Sequence, residues 1–225
     1  ITRAQTHRSV NPYKKVLFPI HIFQSHIKEN ERIKEELCHI IEKFRNSGNA
    51  KIPDGRLTDN LLTSYEDEDF NFDLFTQSET TQKLYEKYIL RFFDRPTKVN
   101  VSDMWFNYYS NGEYQEVHSH VQPDMFAPRP HFSCIHYLKF DPEVHQPVVF
   151  NDPIRELRQT NSIELDSNNY EEKYEPQLRE GSILMFPPYL EHYVPKSEPT
   201  PDNPRITVAF NIILTEYGED KLYGP

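Results

Sequence analysis

His118 and His120 stand one residue apart in 112-GEYQEVHSHVQPD-124, behind a glycine and a run of polar residues. On a β-strand, residues i and i+2 project from the same face, so both imidazoles of such a pair point toward one sheet surface. Neutral imidazole is a ligand for borderline transition metals such as iron, zinc and copper. Two histidines alone are equally consistent with a solvated pair, so the decision rests on what the rest of the chain supplies. His192 in 181-GSILMFPPYLEHYVP-195 is the candidate third ligand. A strand over 182–186 is ended by Pro187-Pro188, and His192 opens a new short segment near the strand rim.

Arg205 begins the best strand pattern in the chain, 205-RITVAFNIIL-214. Ile206, Val208, Phe210 and Ile212 are bulky and apolar and are expected to pack against a helical layer. Arg205, Thr207, Ala209 and Asn211 share the other face, which is small and polar, as the wall of a ligand cavity would be. An arginine there is costly unless an anion meets it, and its planar fork matches a carboxylate at two points. The alternative is a surface arginine with its tip in water.

The elements that must position these residues follow from periodicity. In 30-NERIKEELCHIIEKFRNSGN-49, Ile33, Leu37, Ile40, Ile41 and Phe44 fall on one helical face, with Asn30 as N-cap and 46-NSGN-49 as the stop. A second amphipathic helix is expected in 78-SETTQKLYEKYILRFFD-94, with Leu84, Tyr85, Tyr88, Ile89 and Phe92 as its apolar stripe. Between them, 51–72 reads as loop with a turn at Pro53-Asp54-Gly55. After Pro96 the texture changes to short β-branched and aromatic runs over 98–109, 131–140, 147–152, 182–187 and 205–214, bounded by Pro, Asn, Asp and Gly. Strands in succession without helices between them indicate a β-sandwich or barrel. The expected fold is mainly β with an N-terminal helical layer. It forms one domain, with a helical support region over 1–97, a β core over 98–214 and a tail over 215–225.

The 225 residues are enough to bury a substantial core. Thirty-five acidic against 25 basic residues give a net charge of -10, which supplies no basic field to attract nucleic acid. Two cysteines, Cys38 and Cys134, are too few for a disulfide scaffold and read as reduced, buried side chains. No apolar run approaches the roughly 20 residues that span a bilayer, and 1-ITRAQTHRSVNPYKK-15 lacks the apolar core of a signal peptide. A cytoplasmic protein with no membrane partner is expected. His136, which alternates with Tyr137, is expected to be a core-layer histidine, Trp105 a core residue, and His131 and His145 solvated at strand edges. The acidic 65–70 reads as a solvated loop and 164–177 as a surface excursion between strands.

Taken in order, Gly112, His118, His120, His192 and Arg205 resemble the iron(II)- and 2-oxoglutarate-dependent oxygenases. Those pair a His-x-Asp strand motif with a distal His and an Arg about a dozen residues beyond it. The resemblance is to the prolyl-hydroxylase-like branch, particularly short oxygenases of phage and bacterial genomes that carry His-x-His. Three flanking pieces agree: 131-HFSCIHYLKF-140 with its Tyr137, the Gly-x-hydrophobic-Phe-Pro run at 181–187, and the Arg-led strand ending R205-I-T-V-A-F-N211. The resemblance covers 98–214 and implies a double-stranded β-helix core (jelly-roll, cupin-like) with supporting helices. It implies iron(II) on His118, His120 and His192, with 2-oxoglutarate as cosubstrate bound by Arg205 and contacted by Tyr137, Tyr108 and Asn211. It implies oxidative decarboxylation of 2-oxoglutarate to succinate, with hydroxylation of a peptide or small-molecule substrate.

This chain departs from the wider pattern at one position. In the carboxylate's register it has His120, so the site uses three histidines, or Asp124 supplies the acid from beyond Pro123, or one histidine stands behind the ligands. Two other readings compete: a three-histidine cupin-like dioxygenase without 2-oxoglutarate, and a non-catalytic binding module on the same fold. Arg205 and its small polar strand face favour the 2-oxoglutarate reading.

Overall fold

In a computed structural model, which describes residues 19–46, 61–65, 70, 79–94, 97–121, 129–155 and 172–216, the first apolar stripe forms helix α1 (Asn30–Asn46). Ile33, Leu37, Ile41 and Phe44 are its buried face, while Glu31 in the first turn and Lys43 and Arg45 in the last complement the helix dipole. Asn30 is buried and donates from Nδ2 to the Leu138 carbonyl at 3.3 Å, pinning the helix start to the sheet beneath. The second stripe forms α2 (Glu79–Ile89), continued by a 3-10 turn over Leu90–Phe92. The turn expected at Pro53-Asp54-Gly55 lies outside the described residues.

The described residues form ten strands: β1 (Phe23–His26), β2 (Leu62–Thr63), β3 (Thr97–Tyr109), β4 (Gln115–His118), β5 (Phe132–Lys139), β6 (Val149–Asn151), β7 (Lys173–Tyr174), β8 (Ser182–Phe186), β9 (His192–Val194) and β10 (Arg205–Glu216). They form a six-stranded sheet in the order β1-β8-β5-β10-β3-β2 and a four-stranded sheet in the order β4-β9-β6-β7. The four longest strands, β3, β5, β8 and β10, and the three-residue β6 coincide with the five β-rich runs of the sequence. The short β1 and β2 come from the first hundred residues, where the pattern reads as helix and loop, and they extend the six-stranded sheet at its two edges. Strands of two to four residues are too short to show a period-2 alternation.

The outer face of the six-stranded sheet carries Ile206, Val208, Phe210 and Ile212 of β10 against Ile33, Leu37 and Ile41 of α1 and Tyr85 and Tyr88 of α2. A second cluster fills the space between the sheets, with Ile135, Tyr137, Leu184 and Phe186 meeting Val148 and Phe150. β8 serves both clusters, Ile183 and Met185 outward and Leu184 and Phe186 inward, which is why 182–186 is continuously apolar. Fully burying each such side chain contributes about 1.5–3 kcal/mol, so the double-sided strand anchors both layers.

His136 faces the helices, as its alternation with Tyr137 requires. Its Nε2 donates to Asn30 Oδ1 at 2.8 Å, and its Nδ1 accepts from the Tyr85 hydroxyl at 2.9 Å. Burial, with the nearby His26 charge in second place, lowers its pKa to about 3. The unfolded chain therefore takes up a proton between pH 6.5 and about 3 that the folded chain refuses, and stability falls as the pH drops through that window. The slope approaches about 1.4 kcal/mol per pH unit from this residue alone. Urea unfolding of His136→Gln between pH 6 and 4 is expected to be shallower in pH than wild type by about that amount; parallel curves would exclude His136 as a source of acid sensitivity.

One expectation changes. His145 is buried rather than solvated, because its Nδ1 accepts from the Asp141 N–H at 2.9 Å and its Nε2 donates to the Asn203 carbonyl at 2.7 Å, closing the loop after β5. Trp105 is buried, as expected, and lies on the inner face of β3, with consequences for the site below. His131 is exposed at the strand edge, as expected.

Candidate metal centre

The 110–113 turn delivers the first histidine. Glu113 Oε2 accepts from the backbone N–H groups of Ser110 and Asn111 at 2.7 and 2.6 Å. Gly112 adopts φ +79°, and a Cβ there would sit 2.8 Å from the Ser197 carbonyl oxygen, so both conformation and space call for glycine. The chain then enters β4, which pairs with β9 so that His118 lies directly opposite His192, with ring centroids 4.2 Å apart. His120 stands two residues past the end of β4 and is placed differently. Its N–H donates to the Pro188 carbonyl at 2.8 Å, while Leu190 N–H closes the same turn on Pro187 at 3.0 Å. The Pro187-Pro188 turn therefore fixes His120 and redirects the chain into β9 and His192. A ligand nitrogen of each of the three histidines lies within 4.8 Å of the other two.

Their hydrogen bonds fix which nitrogen faces the centre. Nδ1 of His118 bonds the Glu116 carbonyl at 2.8 Å, and Nδ1 of His192 bonds the Leu190 carbonyl at 2.9 Å. A carbonyl can only accept, so both Nδ1 atoms carry the proton. Nδ1 of His120 bonds Ser133 Oγ at 2.7 Å; that hydroxyl spends its own proton on Asn211 Oδ1 at 2.8 Å, so His120 Nδ1 is again the donor. In all three rings the lone pair is on Nε2, an arrangement common to metal-ligating histidines. Burial first, then the neighbouring imidazoles, lowers His120 to about 4 and His192 well below its ordinary range. Neutral rings at ordinary pH are the ligand form. Three imidazole Nε2 atoms gathered around one point suit a borderline divalent cation such as iron(II).

A second feature lies on the inner face of β10. Arg205 is only 3% exposed, and its guanidinium stacks over the rings of Tyr109 at 4.4 Å and Tyr137 at 5.3 Å. Among the described residues, its Nε and Nη1 have no hydrogen-bond partner. Burial pushes the Tyr109 hydroxyl up to about 12 and raises Tyr137 as well, against the pull of the arginine charge. Both phenols stay neutral and provide no counter-anion. A buried guanidinium with open donors and neutral aromatic walls fits the carboxylate of a small dianion such as 2-oxoglutarate.

Residues 103–211, which contain the three histidines and Arg205, match the family model described as "Putative 2OG-Fe(II) oxygenase". The match supports an iron(II)- and 2-oxoglutarate-dependent oxygenase. No curated protein matches the oxygenase by sequence. Among solved structures it is similar to a prolyl-4-hydroxylase from Pseudomonas putida (11% identity, TM-score 0.52, covering 88% of this chain and 94% of that one). It is also similar to EctD from S. alaskensis in its apoform (13% identity, TM-score 0.56, 86% and 72%). A third is HygX from Streptomyces hygroscopicus, solved with nickel and 2-oxoglutarate bound (11% identity, TM-score 0.52, 86% and 82%). At these identities the likeness establishes the double-stranded β-helix fold. The family match favours a 2-oxoglutarate-dependent enzyme over the cupin-like and non-catalytic readings.

The oxygenase brings His118, His120 and His192 together and places Tyr137 beside Arg205, with the Tyr137 hydroxyl accepting from Val148 N–H at 3.2 Å. It does not bring Tyr108 to that end. Tyr108 pairs with Ile206 and shares its face, so it packs under the helices, where its hydroxyl takes a hydrogen bond from Arg45 at 3.0 Å. Tyr109, the register partner of Arg205, stands beside the guanidinium instead. Asn211 stands six residues along β10 from Arg205, about 20 Å at the usual rise, and touches His120 rather than the arginine. Asp124 lies outside the described residues. Sequence reading also passed over Ser133 and Trp105, whose ring centroid is 5.5 Å from that of His120 and which meets Tyr65 edge-on at 5.0 Å. Alternation within 98–109 was the available signal: Trp105, Asn107 and Tyr109 share one face, and pairing β3 to β10 makes that the inner one.

Proposed function

We propose that this oxygenase holds iron(II) on Nε2 of His118, His120 and His192. In the same reading, Arg205 receives the far carboxylate of 2-oxoglutarate, and a peptide or small-molecule substrate is hydroxylated in the cytoplasm. The observation that carries the reading is the buried Arg205, its Nε and Nη1 unpartnered, on the same polar strand face that ends at the histidine cluster. Convergence of three nitrogens supports His120 over Asp124 as the third ligand. The free thiols of Cys38 and Cys134 suit a reducing compartment. Among the described residues no helix is long and apolar enough to cross a membrane. The chain is read as one domain, with 1–97 supporting the 98–214 core and 215–225 as a tail.

Iron(II), when bound, supplies dioxygen activation, so that substrate, dioxygen and 2-oxoglutarate yield hydroxylated substrate, succinate and carbon dioxide. The protein's own residues bind and orient. Arg205 fixes the cosubstrate carboxylate by a charge-assisted pair. Tyr137, whose oxygen accepts from Val148, keeps its proton to donate to the same carboxylate, and Tyr109 and Tyr137 shield the pair from water. The Nδ1 hydrogen bonds of the three histidines keep their rings in ligand orientation before any metal arrives.

Incubated in air with iron(II) and 2-oxoglutarate, the protein is expected to release succinate, and His192→Ala is expected to release none above free iron. Equal succinate from both would remove His192 from the site.

A further inference from the structure

Where the wider superfamily places a carboxylate, this chain has His120, and a hydrogen-bond chain runs from that ring to an acid. His120 Nδ1–H donates to Ser133 Oγ at 2.7 Å, Ser133 donates to Asn211 Oδ1 at 2.8 Å, and Asn211 Nδ2 donates to Asp103 Oδ2 at 3.3 Å. Asp103 Oδ2 also accepts from the Ser102 hydroxyl at 3.0 Å. The sheet explains the alignment: Asn211 on β10 is the register partner of Ser133 on β5 and of Asp103 on β3, so one row across three neighbouring strands carries the three side chains. The β10–β3 register shifts immediately after Asn211, and such bulges re-aim side chains beside functional sites. Ser133 and Asn211 are buried while Asp103 is exposed. Each inner link is thus satisfied by the next, and the chain ends in water on a negative charge.

We propose that Ser133, Asn211 and Asp103 are positioning residues that lock His120 with its Nε2 lone pair toward the metal and tie an all-neutral ligand set to a carboxylate. The proposal rests on the assignment of His120 as a ligand. It assigns Asn211 to the metal side of the site and not to the cosubstrate. Outer partners of metal-bound histidines fix ring orientation and raise ligand basicity, and here the anion acts through two neutral links instead of binding the metal itself.

The test is cobalt(II) binding to the metal-free protein, followed by the visible absorption of the bound ion, because it needs neither 2-oxoglutarate nor turnover. Ser133→Ala and Asn211→Ala are expected to bind cobalt(II) about 10- to 100-fold more weakly than wild type, with an altered spectrum. Asp103→Asn is expected to lose less, about threefold, because water screens its charge. Exchanging the two ends in the double variant Asp103→Asn/Asn211→Asp keeps an acceptor for Ser133 and moves the charge one link closer. It is expected to recover most of the affinity lost in Asn211→Ala. Melting of the metal-free variants separates misfolding from weak binding, and Ser133→Ala, which removes a single oxygen, carries the test if Asn211→Ala does not fold. Wild-type cobalt affinity and spectrum in Ser133→Ala would overturn the proposal. So would an Asn211→Ala protein that loses 2-oxoglutarate affinity with metal affinity intact, since that returns Asn211 to the cosubstrate. A wild type that binds cobalt(II) through this relay yet never responds to 2-oxoglutarate would sink the proposed function and leave the relay standing.

Discussion

Arg205→Ala is expected to weaken 2-oxoglutarate binding about 30- to 1000-fold while leaving metal affinity within about twofold of wild type. The size follows from burial. Removing one partner of a desolvated charge pair costs about 2–4 kcal/mol, and each 1.4 kcal/mol is tenfold. The separation of effects follows from position, since Arg205 and the Asn211–His120 contact lie at opposite ends of the polar face of β10. Arg205→Lys is expected to recover only part of the loss: an ammonium keeps the charge but cannot meet a carboxylate at two points. Titrating 2-oxoglutarate into the metal-loaded proteins checks both. A loss under about threefold in Arg205→Ala would detach this arginine from the cosubstrate.

The second large effect is at the ligand that departs from the superfamily pattern. His120→Ala is expected to lower iron(II) affinity more than about a hundredfold, beyond the 10- to 100-fold typical of outer partners. Asp124→Ala is expected to bind iron(II) within about twofold of wild type. Competition against a chromogenic iron(II) chelator under anaerobic conditions reads both. The reverse order, with Asp124→Ala crippled and His120→Ala intact, would give the site the superfamily's usual carboxylate and make His120 an outer partner. His120 already has an Nδ1 donor bond, a neutral ring and a nitrogen within 4.8 Å of both other histidines, which is why the first order is expected.

Much of this architecture is legible in residue types and spacing. The alternation of 205-RITVAFNIIL-214 separates an apolar face from a polar one, and the structure keeps that division, with helices on one side and the site on the other. The i, i+2 spacing of His118 and His120 correctly suggests convergence, but for a partly wrong reason. β4 ends at His118, and a proline turn from a distant segment, rather than strand alternation, holds His120. Tyr108 shows the limit more sharply. In a strand, a one-residue slip exchanges the two faces, and only the pairing of Tyr109 with Arg205 decides which tyrosine looks inward. The relay behind His120 was hidden for the same reason. Ser133, Asn211 and Asp103 are far apart in the chain and become one row only when three strands are in register. His145 read as solvated because its two backbone partners, at Asp141 and Asn203, come from loops with no periodic pattern.

The most direct measurement is anaerobic addition of 2-oxoglutarate to the iron(II)-loaded protein, followed by visible absorption. Cosubstrate bound to iron(II) at the three histidines is expected to produce a weak charge-transfer band that saturates with 2-oxoglutarate, is absent in His120→Ala and His192→Ala, and needs far more 2-oxoglutarate in Arg205→Ala. A wild-type protein that gives no band, and whose melting temperature does not move with 2-oxoglutarate, would contradict the assignment of iron to these histidines and of the cosubstrate to Arg205.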